Sequence, residues 1–257
     1  MFEKFGYPEF AKNGESVLVT RDGIYRDMLM DIRVYRLERE SETTFFSLDD
    51  EQIVLLLTGE ADYAWKGTIE AARRDSLFEE GPYLLHVPKG VAVTVFAHEN
   101  AEVLVQKTEN EGDFDPVFFK PADVRSSISG KGLFEDRATR IVRTAVDYEN
   151  APYSKLVIGE IITESGGWSS FIPHDHPQPE VYYYRYERPE AFGAQFIGDE
   201  VFKIENHSFS ALPGGKTHPC VTAPGYRLWT CWMIRHFDDA PWTERVDDPR
   251  YLWQTEC

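Results

Sequence analysis

The sequence predicts an all-β protein made of two tandem β-barrels of jelly-roll type, and three observations lead there. Short segments rich in β-branched, aromatic and aliphatic residues recur along all 257 residues, turn residues punctuate them, and few stretches carry a helical period. The texture of the first half returns in the second. Between the halves lies a proline- and serine-rich stretch with the composition of a linker.

In the first half the strand-like segments are Ser16 to Thr20, Met28 to Leu37, Gln52 to Leu57, Tyr83 to Val87, Val91 to Phe96 and Glu102 to Gln106. Thr58-Gly59-Glu60, Glu80-Gly81-Pro82 and Pro88-Lys89-Gly90 supply turns between them. Asp113 to Arg137 follows, with Pro116, Pro121, a Ser-Ser-Ile-Ser-Gly run and Gly132, and reads as an extended linker. The boundary is placed inside it, giving an N-terminal barrel over 1–125 and a C-terminal barrel over 126–257. Strands resume at Ser154 to Thr163, Val181 to Tyr186, Phe209 to Leu212 and Tyr226 to Arg235.

The repeat is clearest at the proline turns, where Leu85-His86-Val87-Pro88-Lys89-Gly90 parallels Ala211-Leu212-Pro213-Gly214-Gly215. An acidic residue precedes an apolar strand in each half, Glu51 before Gln52 to Leu57 and Glu180 before Val181 to Tyr186. Superposing these features sets Val93 against His218, and Phe45 and Ser47 against His174 and His176. The first barrel is therefore expected to hold no metal.

Composition narrows the function classes. With 42% hydrophobic residues and no long apolar run, no segment is expected to span a bilayer. A formal charge of −17 without a basic stripe argues against nucleic acid and acidic membranes as partners. An anionic substrate would need local positive charge at its site. Cys220, Cys231 and Cys257 are odd in number and form no Cys-x-x-Cys pair, so reduced thiols are expected. The beginning, MFEKFGYPEF, lacks the apolar core of a secretory signal, which makes the cytoplasm the expected location.

Chemistry concentrates in Pro173-His174-Asp175-His176-Pro177-Gln178-Pro179-Glu180. In an extended strand i and i+2 share a face, so His174 and His176 can aim at one point inside a barrel. Glu180 keeps that parity, though Pro177 and Pro179 interrupt a regular strand. His218, after the Pro213-Gly214-Gly215 turn, can return across the same barrel. A lone His-x-His is more often solvated or structural than metallated. Here, however, His-x-His-x3-Glu followed by Pro-x-Gly-x2-His reproduces the two cupin motifs in order. Three imidazoles and a carboxylate suit one divalent ion per chain, zinc first, with manganese and iron as alternatives.

Gly166-Gly167-Trp168-Ser169-Ser170-Phe171-Ile172-Pro173-His174-Asp175-His176, with Glu180-Val181-Tyr182-Tyr183-Tyr184-Arg185 and Phe192-Gly193-Ala194-Gln195, resembles the 5-deoxyglucuronate isomerases of inositol breakdown. The related 5-keto-4-deoxyuronate isomerases of pectin breakdown share the texture. The specific part of the resemblance covers 166–230. It implies a bicupin whose C-terminal barrel carries the metal on His174, His176, Glu180 and His218, the set that spacing selects. It also implies an aldose–ketose isomerase acting on a small acidic sugar such as 5-deoxy-glucuronate, and a homo-oligomer. The spacer of three residues between His176 and Glu180 is shorter than the family's.

For the rest of the site, Tyr184 and Lys216 are the candidate catalytic residues, with Tyr182 sharing Tyr184's parity. Aromatic side chains also fill barrel interiors. Arg185 and Arg227 are candidates for the substrate carboxylate, for which guanidinium is geometrically suited, although Arg185 has the wrong parity to face the metal. Gln195 and Trp229 are candidate lining residues, Gln195 as a substrate contact. The alternatives are an iron or manganese dioxygenase or decarboxylase of a small organic acid, and a sugar-binding bicupin without catalysis.

Overall fold

A computed structural model describes residues 2–255; Cys257 lies outside the described residues. Two sets of antiparallel strands follow one another along the chain. In the first, Glu15–Val19, Asp31–Leu37, Ala101–Glu109, Asp50–Trp65, Tyr83–Val87 and Val117–Phe119 lie side by side in that order. The long strand Asp50–Trp65 bulges between Leu56 and Thr58 and continues into an opposing sheet with Thr68–Arg74, Val93–Ala97 and Ser41–Phe45. Gly59 turns that corner at φ +102°, and a Cβ there would lie 2.6 Å from the Asn100 carbonyl oxygen, so only glycine fits.

The second set repeats the plan. One sheet runs Arg125–Ser129, Arg140–Val146, Leu156–Thr163, Leu228–Arg235, Glu180–Tyr186 and Phe209–Leu212. Facing it are Trp168–Ser169, Cys220–Thr222, Gly193–Ile197 and Glu200–Ile204. Phe5–Gly6 does not join the half in which it lies in sequence, because it pairs with Phe209–Leu212 at the edge of the second half's sheet.

The segment expected to be a linker contributes a strand to each half. Val117–Phe119 pairs with Tyr83–Val87 and Arg125–Ser129 pairs with Arg140–Val146, separated by a short 3-10 turn at Pro121–Asp123. Serines and prolines there reflect an exposed edge strand and a turn, not a free tether.

Alternation of side chains sorts each strand between two cores. From Asp50–Trp65, Ile53, Leu55 and Leu57 enter a core shared by both halves, together with Val181, Tyr183, Trp229, Cys231 and Met233. Val54 and Leu56 point the other way, into the first barrel beside Phe45, Val93 and Val95. Tyr182, Tyr184, Trp232 and Ile234 fill the second barrel. Burial on both faces explains why these strands read as continuous apolar runs. Cys220 and Cys231 are buried free thiols, and burial raises both pKa values, that of Cys220 to about 12.

The register corrects the repeat by one residue. Gln52 lies opposite Val87 as Glu180 lies opposite Leu212, and each partner precedes the turn proline. Gln52, not Glu51, is thus the counterpart of Glu180. Glu51 points into the junction between the halves, where its carboxylate accepts from Ser154 Oγ at 2.8 Å, the Lys155 amide at 2.6 Å and Asn110 Nδ2 at 3.1 Å, and meets His86 Nε2 at 2.8 Å.

Candidate metal centre

Backbone geometry aims the histidines before any ion is considered. His174 Nδ1 donates to the Ile172 carbonyl at 2.9 Å, His176 Nδ1 to Gln178 at 3.0 Å and His218 Nδ1 to Lys216 at 2.8 Å. A carbonyl only accepts, so each imidazole carries a proton on Nδ1 and turns its Nε2 toward the other site residues. His176 Nε2 and His218 Nε2 lie 3.2 and 3.3 Å from the same oxygen, Glu180 Oε2. Ring nitrogens that close to a carboxylate oxygen need a proton or a cation between them. His218 Nε2 is buried with no protein hydrogen bond.

Ligating atoms of His176, Glu180 and His218 all lie within 4.8 Å of one another, and all three residues are buried. His174 stands outside that tight trio but lines the same cavity, its ring centroid 5.0 Å from that of His218. Burial, together with neighbouring His218 and Arg245, pushes the His174 pKa down to about 2, and burial lowers His218 as well. His176 moves up, because its hydrogen bond to Glu180 outweighs burial. Imidazoles around a carboxylate are the donor set of a divalent metal, and the residues fit one.

Three elements bring these groups together. Glu180 begins the strand Glu180–Tyr186, while His218 follows the turn after Phe209–Leu212. Gly214 in that turn is close-packed on the intervening loop: a Cβ would meet the Pro177 carbonyl oxygen at 1.9 Å. His174–Asp175 pairs with Val246–Asp247, which straps the C-terminal segment across the mouth. Gln178 Nε2 ties the strap down by donating to Ala240 O at 2.8 Å.

A cavity of about 270 Å³ opens beside the cluster. Of the hydroxyls proposed from sequence, Tyr182 lines it and hydrogen-bonds Ser170 at 2.9 Å. Tyr184 sits one alternation deeper, where its hydroxyl donates to Gln195 Oε1 at 2.6 Å and contacts Ser210 Oγ at 2.8 Å, and it does not line the cavity. Gln195 is buried and supports the site indirectly, donating from Nε2 to the His218 carbonyl at 2.8 Å. Lys216 is exposed and serves through its backbone carbonyl.

Neither proposed arginine reaches the cavity. Arg185 has the opposite strand parity and pairs with Glu102 of the first half. Arg227 is held by Glu187 and, at 2.7 Å, by Glu79. Trp229 is fully buried in the shared core; Trp232, of opposite parity, lines the cavity instead. Sequence reasoning passed over Arg140, Ser170, Trp242 and Arg245, which also line it. Arg140 could have been flagged as a cation alternating with Val142 on a strand face; Trp242 and Arg245 belong to the irregular strap and carried no pattern.

Fold and site together define a bicupin with a metal-type ligand set in its second barrel. The sequence profile of the KduI/IolB family matches residues 7–254, and the chain belongs to that family. Among its relatives, the 5-deoxy-glucuronate isomerase of Geobacillus kaustophilus (strain HTA426) is 27% identical over 233 residues, covering 84% of this chain and 82% of the relative. That of Geobacillus thermodenitrificans (strain NG80-2) is 25% identical over 238 residues, covering 81% and 84%. An IolB-like protein from Salmonella typhimurium LT2 superposes with a TM-score of 0.87 at 19% identity over 98% of this chain and 99% of its own. Lactobacillus farciminis oxalate decarboxylase shares the fold with a TM-score of 0.72 at 11% identity, covering 98% of this chain and 90% of its own.

Proposed function

We propose that this protein is a metal-dependent isomerase of 5-deoxy-glucuronate or a closely similar deoxy-uronate. By family it is an intramolecular oxidoreductase, an aldose–ketose sugar isomerase. The observation that carries the metal-dependent reading is the convergence of two buried Nε2 atoms, of His176 and His218, on one oxygen of Glu180 inside the second barrel. His176, Glu180 and His218 would hold the ion, with His174 as the fourth ligand. Bound there, a divalent cation supplies Lewis acidity that stabilises negative charge developing on substrate oxygens, and zinc suffices because the interconversion needs no external redox change.

The chain's own residues do the rest. Aldose–ketose exchange moves hydrogen between adjacent carbons through an enediol, and the cavity must orient the sugar and exclude water. Trp232 and Trp242 wall the cavity with apolar surface. Burial raises the Tyr182 pKa well above its ordinary value, so its hydroxyl stays protonated and donates a hydrogen bond to a sugar oxygen. The exposed edge strand Arg125–Ser129, with Ile128 60% exposed, is the face on which a homo-oligomer would form.

The test is direct: metal-replete protein should interconvert 5-deoxy-glucuronate and its ketose under anaerobic conditions, followed by NMR, and lose the activity on chelation and regain it with zinc. Absence of interconversion, or a strict need for oxygen, would sink the reading.

A further inference from the structure

We infer that Arg140, assisted by Arg245, is the anchor for the substrate's carboxylate and so selects acidic over neutral sugars; the inference rests on the isomerase reading for the identity of the cavity as the substrate site. Arg140 opens the strand Arg140–Val146 and is 5% exposed. Its Nη1 donates to the Ala138 carbonyl at 2.8 Å, and among the described residues it pairs with no acid. It is exceptional in this respect. The other two buried arginines share one carboxylate, Glu160, which takes Arg74 at 2.7 and 2.8 Å and Arg143 at 3.2 Å, and the half-buried Arg21 and Arg185 each have a carboxylate.

A buried guanidinium without a counter-charge is costly unless something supplies the charge. Arg140 lines the metal-site cavity, so a ligand entering there can supply it. Arg245 lines the same cavity from the strap, pairing at 3.0 Å with Asp247. Burial and this second cation lower the pKa of Arg140, the signature of a positive charge that lacks its partner. In a chain of net charge −17, Arg140 thus faces the cavity without an acid of its own. Ser127 and Ser129 line the cavity on the neighbouring strand and add hydroxyls suited to a sugar. A carboxylate matches the fork of a guanidinium, and the metal ligands would remain for the carbonyl end of the molecule.

The experiment uses D-glucuronate and its uncharged amide, D-glucuronamide, titrated calorimetrically into the intact metal-loaded protein. Wild type is expected to bind the acid about 10- to 100-fold more tightly than the amide, the range of a charge-assisted hydrogen-bond pair. Arg140→Gln should remove most of that preference, and an unchanged metal content and melting temperature show the cavity intact. Arg140→Lys, the variant to use if Arg140→Gln does not fold, should retain only part of the preference, and Arg245→Gln should reduce it. Equal binding of acid and amide by wild type, or an undiminished preference in Arg140→Gln or Arg140→Lys, overturns the inference. The isomerase reading fails separately: an Arg140-dependent acid preference without interconversion of 5-deoxy-glucuronate keeps the anchor and removes the reaction. Interconversion by Arg140→Gln at unchanged KM removes the anchor and keeps the reaction.

Discussion

The three Nδ1–H groups that donate to backbone carbonyls show how little freedom the site leaves its imidazoles. Each imidazole is locked in one tautomer by a carbonyl two residues away in sequence, at Ile172, Gln178 and Lys216. At this scale the expected outcome is simple. His218→Ala, measured by elemental analysis after dialysis, should lower the metal retained per chain, because it removes one of the three closely grouped donors and leaves only His176 and Glu180 of that trio beside His174. Gln195→Leu, which touches no ligand atom but releases the His218 carbonyl, should weaken metal affinity by about 10- to 100-fold, the range seen when supporting partners are lost. Unchanged affinity in Gln195→Leu would show that the strand alone positions His218.

The elements around the site act as clamps. Gly214 presses the 213–215 turn onto Pro177, so Gly214→Ala must push apart the loop between His176 and Glu180. The expected result is about 1–3 kcal/mol of lost stability, typical of overpacking, together with weakened metal binding. A thermal melt and a metal titration on the same variant check both. The strap has its own latch: His236 Nδ1 accepts the Trp242 amide at 2.8 Å, and burial holds its pKa down to about 4. An unfolded histidine titrates near about 6.5, so between that value and about 4 the unfolded chain binds the extra proton. His236 therefore contributes stability that is complete above the upper value and is lost as pH falls toward the lower. Urea midpoints for wild type should drop across this window, and His236→Gln should flatten the drop.

Across the whole molecule, the two halves are joined by a shared apolar core and by buried ionic contacts. Arg74 from the first half and Arg143 from the second converge on Glu160, whose carboxylate takes Arg74 at 2.7 and 2.8 Å and Arg143 at 3.2 Å. Glu160→Gln would leave two guanidinium groups facing each other without compensation and should cost about 3–5 kcal/mol in urea unfolding. A loss under 1 kcal/mol would mean that their contacts to the carbonyls of Leu56, Leu77 and Glu80 suffice. Phe5–Gly6, crossing onto the second half's sheet, makes the halves interdependent in strand pairing as well as in packing.

By itself the sequence determined the parts of this protein that are local. Strand periodicity and turn residues were enough for an all-β chain with a repeated plan, and His-x-His-x3-Glu with its distant histidine was enough to single out His176, Glu180 and His218, which the fold gathers, because i, i+2 parity and a proline turn are short-range geometry. What lay outside local pattern came from tertiary structure. Register set Gln52, not Glu51, against Glu180, since a one-residue slip turns a side chain from barrel to junction. Parity and partners took Arg185 and Arg227 to ion pairs elsewhere, and the closure of the barrel brought Arg140 and the strap's Arg245 to the cavity instead. Which cation keeps a partner and which is left facing a ligand depends on residues far apart in the chain, and only folding decides that.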